Sequence, residues 1–134
     1  MNNKFKLKKG NYFWCDPCYC FRNYDSEDNW GKFCNELWKV GDGIVEFDGY
    51  KAFVAGTADG DGAFAAKPLG KELLVDAGLL GLIPTALAKK YGNIDWINKC
   101  EGIVKLKMEK DFEVEIWGSG NFRFEGYSVQ TDGE

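Results

Sequence analysis

The chain of 134 residues has the length of one domain, and a chain of this size can bury one hydrophobic core. Its formal net charge of −4 argues against nonspecific nucleic-acid binding, because neutralising phosphates requires clustered Lys and Arg. No apolar run approaches the roughly 18 residues of a membrane span, and the charged N-terminal segment is unlike a secretory signal. We therefore expect a cytoplasmic protein that spans no membrane.

The first segment is predicted to be extended. Lysines at positions 4, 6 and 8 alternate with Phe5 and Leu7, which is typical of a strand with one solvent-exposed face. Gly10-Asn11 is a turn pair, so residues 3–9 and 11–15 are expected to form a strand or a hairpin.

An amphipathic helix is predicted at about 26–40. Residues 25–28 supply cap-type side chains and acids, and apolar residues then recur at i, i+3, i+4, i+7 and i+8 from Trp30 to Trp38. The pattern ends near Gly41.

A hairpin and a set of buried strands are predicted in the middle of the chain. Strands at 43–47 and 50–55 flank Asp48-Gly49, a dipeptide that accepts the positive φ angles of a type I′ turn. The apolar run at 71–83 contains two glycines, which favours buried strands with a bend over a helix.

A short helix at about 84–91 is predicted from Pro84 at its first position and Gly92 at its end. The C-terminal third alternates apolar and charged residues, which indicates a meander in which lysines 105 and 107 face glutamates 113 and 115. Residues after about 128 are expected to form a loose tail.

Together these elements predict one α+β domain over residues 1–134. Its sheet is mostly antiparallel, with strong curvature or a barrel-like form as one option, and the two helices pack on it.

The sequence contains no histidine. This excludes Ser-His-Asp and Cys-His catalysis and most zinc hydrolase sites, because histidine is the commonest general base and transition-metal ligand. An enzyme would depend on carboxylates, Lys, Tyr or Cys, and the composition favours a non-enzymatic protein.

Three of the five cysteines lie in CDPCYC, residues 15–20. Cys15 and Cys18 have the spacing of a zinc knuckle, but a closed site needs four ligands, and Cys20 and a distant cysteine would have to complete it. A nucleophile at Cys18, polarised by Asp16, is an alternative that lacks a suitable proton acceptor. Buried, reduced thiols are the third interpretation, because a reducing compartment keeps cysteines free.

The loop GTADGDGAF, residues 56–64, combines three glycines with Asp59 and Asp61. Both carboxylates are candidate ligands for Ca²⁺ or Mg²⁺, although the EF-hand pattern fails because Ala63 stands at the third ligand position. The alternative is a tight turn whose aspartates bond to their own backbone. A divalent cation is thus one option, and no other cofactor is expected.

Asp76 interrupts the apolar run LLVDAGLLG. A carboxylate among leucines must be paired, be hydrogen-bonded to amides or have a raised pKa, because burial of an isolated charge is prohibitive. We expect Asp76 to accept hydrogen bonds from the amide of Gly78 or from the 56–64 loop, with a ligand-facing acid as the alternative.

The motifs DPCY at 16–19, TADGDGAF at 57–64 and VDAGLLGLIP at 75–84 occur in this order. This order resembles a family of small uncharacterised proteins found in bacteriophages and bacteria. The chain departs from the family pattern at Cys15, where glycine is usual, and at Asp59, where an aromatic or bulky residue is usual. The resemblance implies no reaction, but it implies that the polar side chains of the three motifs meet, because glycines beside them allow close backbone approach.

These features favour a non-enzymatic binding or interaction module. The resemblance implies a phage accessory factor in the bacterial host cytoplasm, which sequesters a small ligand or blocks a host protein. The candidate ligand-binding residues are Asp16, Cys18, Tyr19, Thr57, Asp59, Asp61 and Asp76. The alternatives are a cation-dependent hydrolase that uses Asp16, Asp61 and Asp76, and a structural zinc protein that uses Cys15, Cys18 and Cys20.

Overall fold

The structure is a computed structural model that describes residues 3–22 and 28–132. These ranges contain eleven strands, all paired antiparallel, and three α-helices, so the predicted α+β class is confirmed. The helices are α1 (Asn29–Val40), α2 (Thr85–Tyr91) and α3 (Ile94–Lys99), and a 3₁₀ helix spans Pro17–Cys20. The strands are β1 (Lys4–Leu7), β2 (Gly10–Cys15), β3 (Gly43–Phe47), β4 (Tyr50–Gly56), β5 (Gly62–Ala66), β6 (Lys71–Val75), β7 (Leu79–Pro84), β8 (Val104–Met108), β9 (Phe112–Ile116), β10 (Phe122–Phe124) and β11 (Tyr127–Val129).

The strands form three antiparallel units. A five-stranded sheet has the order β3-β4-β7-β2-β8, a four-stranded sheet has the order β1-β9-β10-β11, and β5 and β6 form a two-stranded ribbon. These orders are linear, so the strands between residues 4 and 129 close no barrel.

The five-stranded sheet lies between two apolar layers. On β2, Tyr12 and Trp14 pack against the four-stranded sheet and the ribbon, whereas Phe13 and Cys15 pack against the helices. Successive side chains of a strand point to opposite faces, so a strand covered on both sides is apolar at every position. This explains the unbroken apolar runs that the sequence places in the central strands.

Gly81, a glycine of the third motif, allows two central strands to approach closely. A Cβ atom at this position of β7 would lie 2.0 Å from the carbonyl oxygen of Phe53 on β4. The predicted hairpin is also confirmed, since Asp48 and Gly49 have φ angles of 52° and 80° between β3 and β4.

The charged strands pair differently from the prediction. β1 does not form a hairpin with β2, because β1 pairs with β9 and β2 pairs with β7 and β8. The expected pairing of lysines 105 and 107 with glutamates 113 and 115 is wrong, because β8 and β9 belong to different sheets. The glutamates instead face Lys4 and Lys6, at the registers Lys4↔Glu115 and Lys6↔Glu113. Charge complementarity therefore operates between strands near opposite ends of the chain rather than between strands that are neighbours in sequence.

The helices differ from the prediction in their boundaries and in their number. Asp28 is the N-cap of α1 and accepts a hydrogen bond from the Gly31 amide at 2.8 Å, while residues 26 and 27 lie outside the described ranges. Pro84 is the last residue of β7 and the N-cap of α2, so this helix begins at Thr85, one position after the predicted start. Helix α3 is not predicted from the sequence because it has only six residues, although Asn93 caps it by accepting from the Trp96 amide at 3.1 Å.

Residues 128–132, which the sequence suggests are loose, are held in place. Thr131 is fully buried, its amide donates to Asn121 Oδ1 at 2.6 Å, and its hydroxyl donates to the Gly120 carbonyl at 2.7 Å. Residues 133 and 134 lie outside the described ranges. Within the described chain, every helix is too short or too polar to traverse a bilayer.

Candidate functional site

Asp16 connects two of the three sequence motifs. It follows β2, caps the 3₁₀ helix and has a fully buried side chain. Its Oδ1 accepts from the Cys18 amide at 2.9 Å, and its Oδ2 accepts from the amides of Asp76 and Ala77 at 2.9 and 2.7 Å. One carboxylate therefore holds the start of the 3₁₀ helix against the turn between β6 and β7.

Two features of the environment of Asp16 have opposite effects on its pKa. Burial raises the pKa of the carboxyl group, because removal from water disfavours the charged form, and the three amide hydrogen bonds oppose this rise. The oxygens of Asp16 are already occupied by backbone donors, so this group is poorly placed to accept a proton from a substrate.

Asp76 lies on the solvent side of this turn, and Asp16 is the buried aspartate. Its side chain is 55% exposed, so the prediction of a carboxylate enclosed by leucines is wrong. The Tyr19 hydroxyl donates to Asp76 Oδ2 at 2.8 Å, and Nη2 of Arg22 lies 3.6 Å from the same oxygen. The amides of Asp76 and Ala77 donate to Asp16 because the turn directs its backbone inward and the side chain of Asp76 outward.

Arg22 and Trp96 both contact the ring of Tyr19, whose hydroxyl bonds to Asp76. The Arg22 guanidinium lies 5.2 Å from the centre of the Tyr19 ring, and the ring of Trp96 lies 5.5 Å from the Tyr19 ring. Tyr19 is buried, whereas Trp96 is 38% exposed. These contacts hold a cation beside the carboxylate of Asp76 and a partly exposed ring beside Tyr19.

Cys18 lies beside Arg22 and is poorly suited to nucleophilic attack. It is 3% exposed, and Nη2 of Arg22 lies 3.7 Å from its sulfur. Burial and the neighbouring Asp16 raise the pKa of the Cys18 thiol, and burial with the bond to Asp76 raises the pKa of the Tyr19 hydroxyl. Both groups therefore remain protonated at neutral pH.

The other cysteines of CDPCYC pack inside the protein. Cys15 and Cys20 are fully buried with their sulfur atoms 3.5 Å apart, and all five cysteines are free thiols. Burial raises the pKa of Cys15 well above its usual value. Residues 3–22 and 28–132 contain no group of three or more Cys, Asp or Glu side chains arranged to hold a metal ion.

The loop motif at 57–64 contacts the turn between β6 and β7. The Thr57 amide donates to the Gly78 carbonyl at 2.9 Å, and the Thr57 hydroxyl lies 2.6 Å from the Gly60 carbonyl. A Cβ atom built on Gly78 would lie 4.0 Å from Oδ1 of Asp61, and both Asp61 and Asp59 are exposed. The loop is therefore anchored to the turn that carries Asp76.

We use the name Asp16 cluster for Asp16, Cys18, Tyr19, Arg22 and Asp76, which contact one another directly. Of the remaining candidates, Thr57 and Asp61 lie one step away at Gly78, and Asp59 has no described contact with the cluster. Trp96 was outside the sequence prediction because α3 was not recognised, although an Asn cap before a Trp at helix position 3 was a signal for both.

The sequence matches no protein-family model, and no curated protein or solved structure matches the chain. The geometry of the described residues therefore carries the functional argument.

Proposed function

We propose that this protein is a non-catalytic binding module that presents a preformed surface around Asp76 to a partner protein. This Asp76 surface consists of Arg22, Leu74, Asp76 and Trp96. The observation that carries the proposal is the attachment of the Asp76 turn to the buried Asp16 carboxylate through two amide hydrogen bonds.

The backbone attachment pre-organises the surface. A partner that binds a turn already held in place loses less conformational entropy than one that must order it. The contacts of Arg22 and Trp96 with the Tyr19 ring restrict both side chains further.

The exposed side chains have the composition of an interaction hot spot. Trp, Tyr and Arg are enriched among residues whose truncation weakens protein–protein binding most. Leu74 is 44% exposed, and its amide donates to the Gly102 carbonyl at 3.1 Å, which places β6 beside the segment that follows α3. The expected partner therefore presents an apolar patch to Leu74 and Trp96, with polar groups that meet Arg22 and Asp76.

The protonation states in the cluster favour binding over catalysis. The thiol of Cys18 and the hydroxyl of Tyr19 have raised pKa values, and the Asp16 carboxylate is saturated by amides. None of these three groups is an activated nucleophile or a free general base. The resemblance to bacteriophage proteins extends this proposal to a factor that blocks a host protein.

The test compares the surface variant Arg22→Ala/Trp96→Ala with Trp38→Ala. Trp38 is a matched control because it is 70% exposed at the end of α1 and has no described contact with the Asp76 surface. Proteins that co-purify with each tagged variant from bacterial lysate are quantified by mass spectrometry. The protein most enriched with the wild type is then purified, and its affinity for the wild type and for each variant is measured by biolayer interferometry.

We expect the double variant to weaken this affinity at least about 30-fold, since a hot-spot residue contributes roughly 2 kcal/mol or more. The Trp38 variant should bind like the wild type. Equal binding by all three proteins, or a loss confined to Trp38→Ala, would contradict the proposed surface.

A further inference from the structure

An open groove of about 550 Å³ lies between α2, α3 and the edge strand β8. Three lysines line it, one from α2 and two from β8, and its described lining contains no acidic residue. The lysines are Lys89, Lys105 and Lys107, and we refer to this feature as the lysine groove.

The strand register explains why two of these lysines enter the groove. Lys105 lies opposite Phe13, and Lys107 lies opposite Asn11, so both share the face of the sheet on which Phe13 packs against the helices. Residues i and i+2 of a strand are about 7 Å apart, so both ammonium groups can reach one anion. Helix α2 supplies Lys89 from the opposite wall.

The charges of the lysine groove are largely uncompensated. Lys89 and Lys105 form no ion pair with any residue in 3–22 or 28–132. Lys107 lies 3.9 Å from Glu109, but both side chains are at least 75% exposed, and such a pair is strongly screened by water. An adjoining groove of about 510 Å³ adds Lys8, Lys9 and Lys51 to the same side of the molecule, and of these Lys8 lies 3.5 Å from Asp111. Like charges gathered in a concavity of a protein with net charge −4 favour an anionic ligand.

Protection of a sheet edge explains the arrangement only in part. Lysines on an edge strand prevent pairing with other chains, and β8 is such an edge. Lys89, however, belongs to a helix and has no edge to protect.

The other lining residues indicate the chemistry of the ligand. Asn98 and Thr85 offer neutral hydrogen-bonding groups, and Ile94 and Ala86 offer apolar surface. Lysine is a strong point-charge partner for phosphate, and several lysines suit a dianion better than a single carboxylate. The volume lies within the range of sites for small molecules.

The aromatic side chains that line the groove argue against nucleic acid as its ligand. Tyr12 and Phe13 line it but are only 5% and 1% exposed, so they offer no face on which bases could stack. We propose that the lysine groove binds a small phosphate monoester with an apolar body. This site is separate from the Asp76 surface, so either proposal can fail without the other.

The test is an NMR titration of the ¹⁵N-labelled protein with phenyl phosphate, with phenol as the uncharged probe. The variant Lys89→Gln/Lys105→Gln removes two of the three groove charges. The variant Lys67→Gln/Lys71→Gln is the matched control, because both of its lysines are exposed, lie outside the groove lining and carry the same total charge.

We expect phenyl phosphate to shift the amide signals of residues 85–98 and 104–107 saturably, and phenol to leave them unchanged. The groove variant should bind at least about tenfold more weakly, since each lost charge-assisted hydrogen bond contributes about 1.5 kcal/mol or more. The control variant should bind like the wild type.

Three outcomes would overturn the proposal. The first is the absence of saturable shifts at millimolar phenyl phosphate, and the second is equal weakening in both double variants. The third is tighter binding of a single-stranded oligothymidylate through Lys89 and Lys105, which would identify the groove as a nucleic-acid site.

Discussion

The Asp16 cluster and the lysine groove use charge in opposite ways. In the cluster, a fully buried carboxylate has backbone donors on both oxygens, and the fold itself supplies them. In the groove, Lys89 and Lys105 are exposed, and the described residues offer them no ion-pair partner. A buried charge needs hydrogen-bond partners within the native structure, whereas exposed like charges can remain unpaired until a ligand binds. Substitutions in the cluster should therefore change stability, and substitutions in the groove should change binding.

The largest effect is expected for Asp16→Ala. Loss of the carboxylate leaves three amides near the core without an acceptor, which should lower the free energy of unfolding by at least about 3 kcal/mol. Asp16→Asn keeps one acceptor oxygen and should cost less. Urea denaturation measures both values. If Asp16→Ala lowers the free energy of unfolding by less than about 1 kcal/mol, the Asp16 cluster does not stabilise the fold as proposed.

A smaller effect is expected for Tyr19→Phe, which deletes only the hydroxyl that bonds to Asp76. The partly buried hydrogen bond should contribute about 1 kcal/mol to the free energy of unfolding. Tyr127→Phe is the control, since no hydrogen bond to the Tyr127 hydroxyl is found among the described residues. Chemical denaturation of both variants measures the difference, and equal stabilities would show that the hydroxyl of Tyr19 adds nothing.

The dependence of stability on pH should have opposite signs at two aspartates. Burial raises the pKa of Asp16, so its contribution to the free energy of unfolding is present at low pH and declines as pH rises above about 4. Asp111, beside Lys8 and Lys9, has a lowered pKa, chiefly because its carboxylate accepts from the Lys9 amide. Its contribution is present near neutral pH and is lost as pH falls below about 4.

The measurement is urea denaturation of Asp16→Asn, Asp111→Asn and the wild type from about pH 3 to pH 7. The stability difference between wild type and variant should fall with rising pH for Asp16 and rise for Asp111. If the two stability differences change with pH in the same direction, burial does not raise the pKa of Asp16.

The smallest effect on stability is expected for Lys89→Gln/Lys105→Gln. These side chains have no ion pair to lose within the described ranges, so the free energy of unfolding should change by less than about 0.5 kcal/mol. Thermal and urea denaturation measure this change. A loss above about 1 kcal/mol would mean that the groove lysines stabilise the fold, and the contrast with the Asp16 cluster would disappear.

Local sequence patterns predicted the elements whose conformation depends on near neighbours. The Asp48-Gly49 hairpin, the end of α1 near Gly41 and the end of α2 at Gly92 follow from turn and cap chemistry that acts over a few residues. Helix α3 was missed because six residues give too little periodicity to recognise.

The candidate site was predicted in part. The motifs containing Asp16, Cys18, Tyr19 and Asp76 do meet, as the resemblance implies. Which aspartate is buried could not be read from the sequence, because the leucines around Asp76 cover other faces of the turn. The lysine groove was not predicted, because its three charges come from a helix and a distant edge strand.

The sequence by itself determined the α+β class, the central apolar strands and the absence of histidine chemistry, since composition and short-range periodicity govern these properties. Only the tertiary structure decided that Lys4 and Lys6 face Glu115 and Glu113, that Asp16 is buried and accepts from the amides of Asp76 and Ala77, and that lysines of α2 and β8 share one groove. The physical reason is that strand partners and burial depend on contacts between residues far apart in the chain, which no local pattern records.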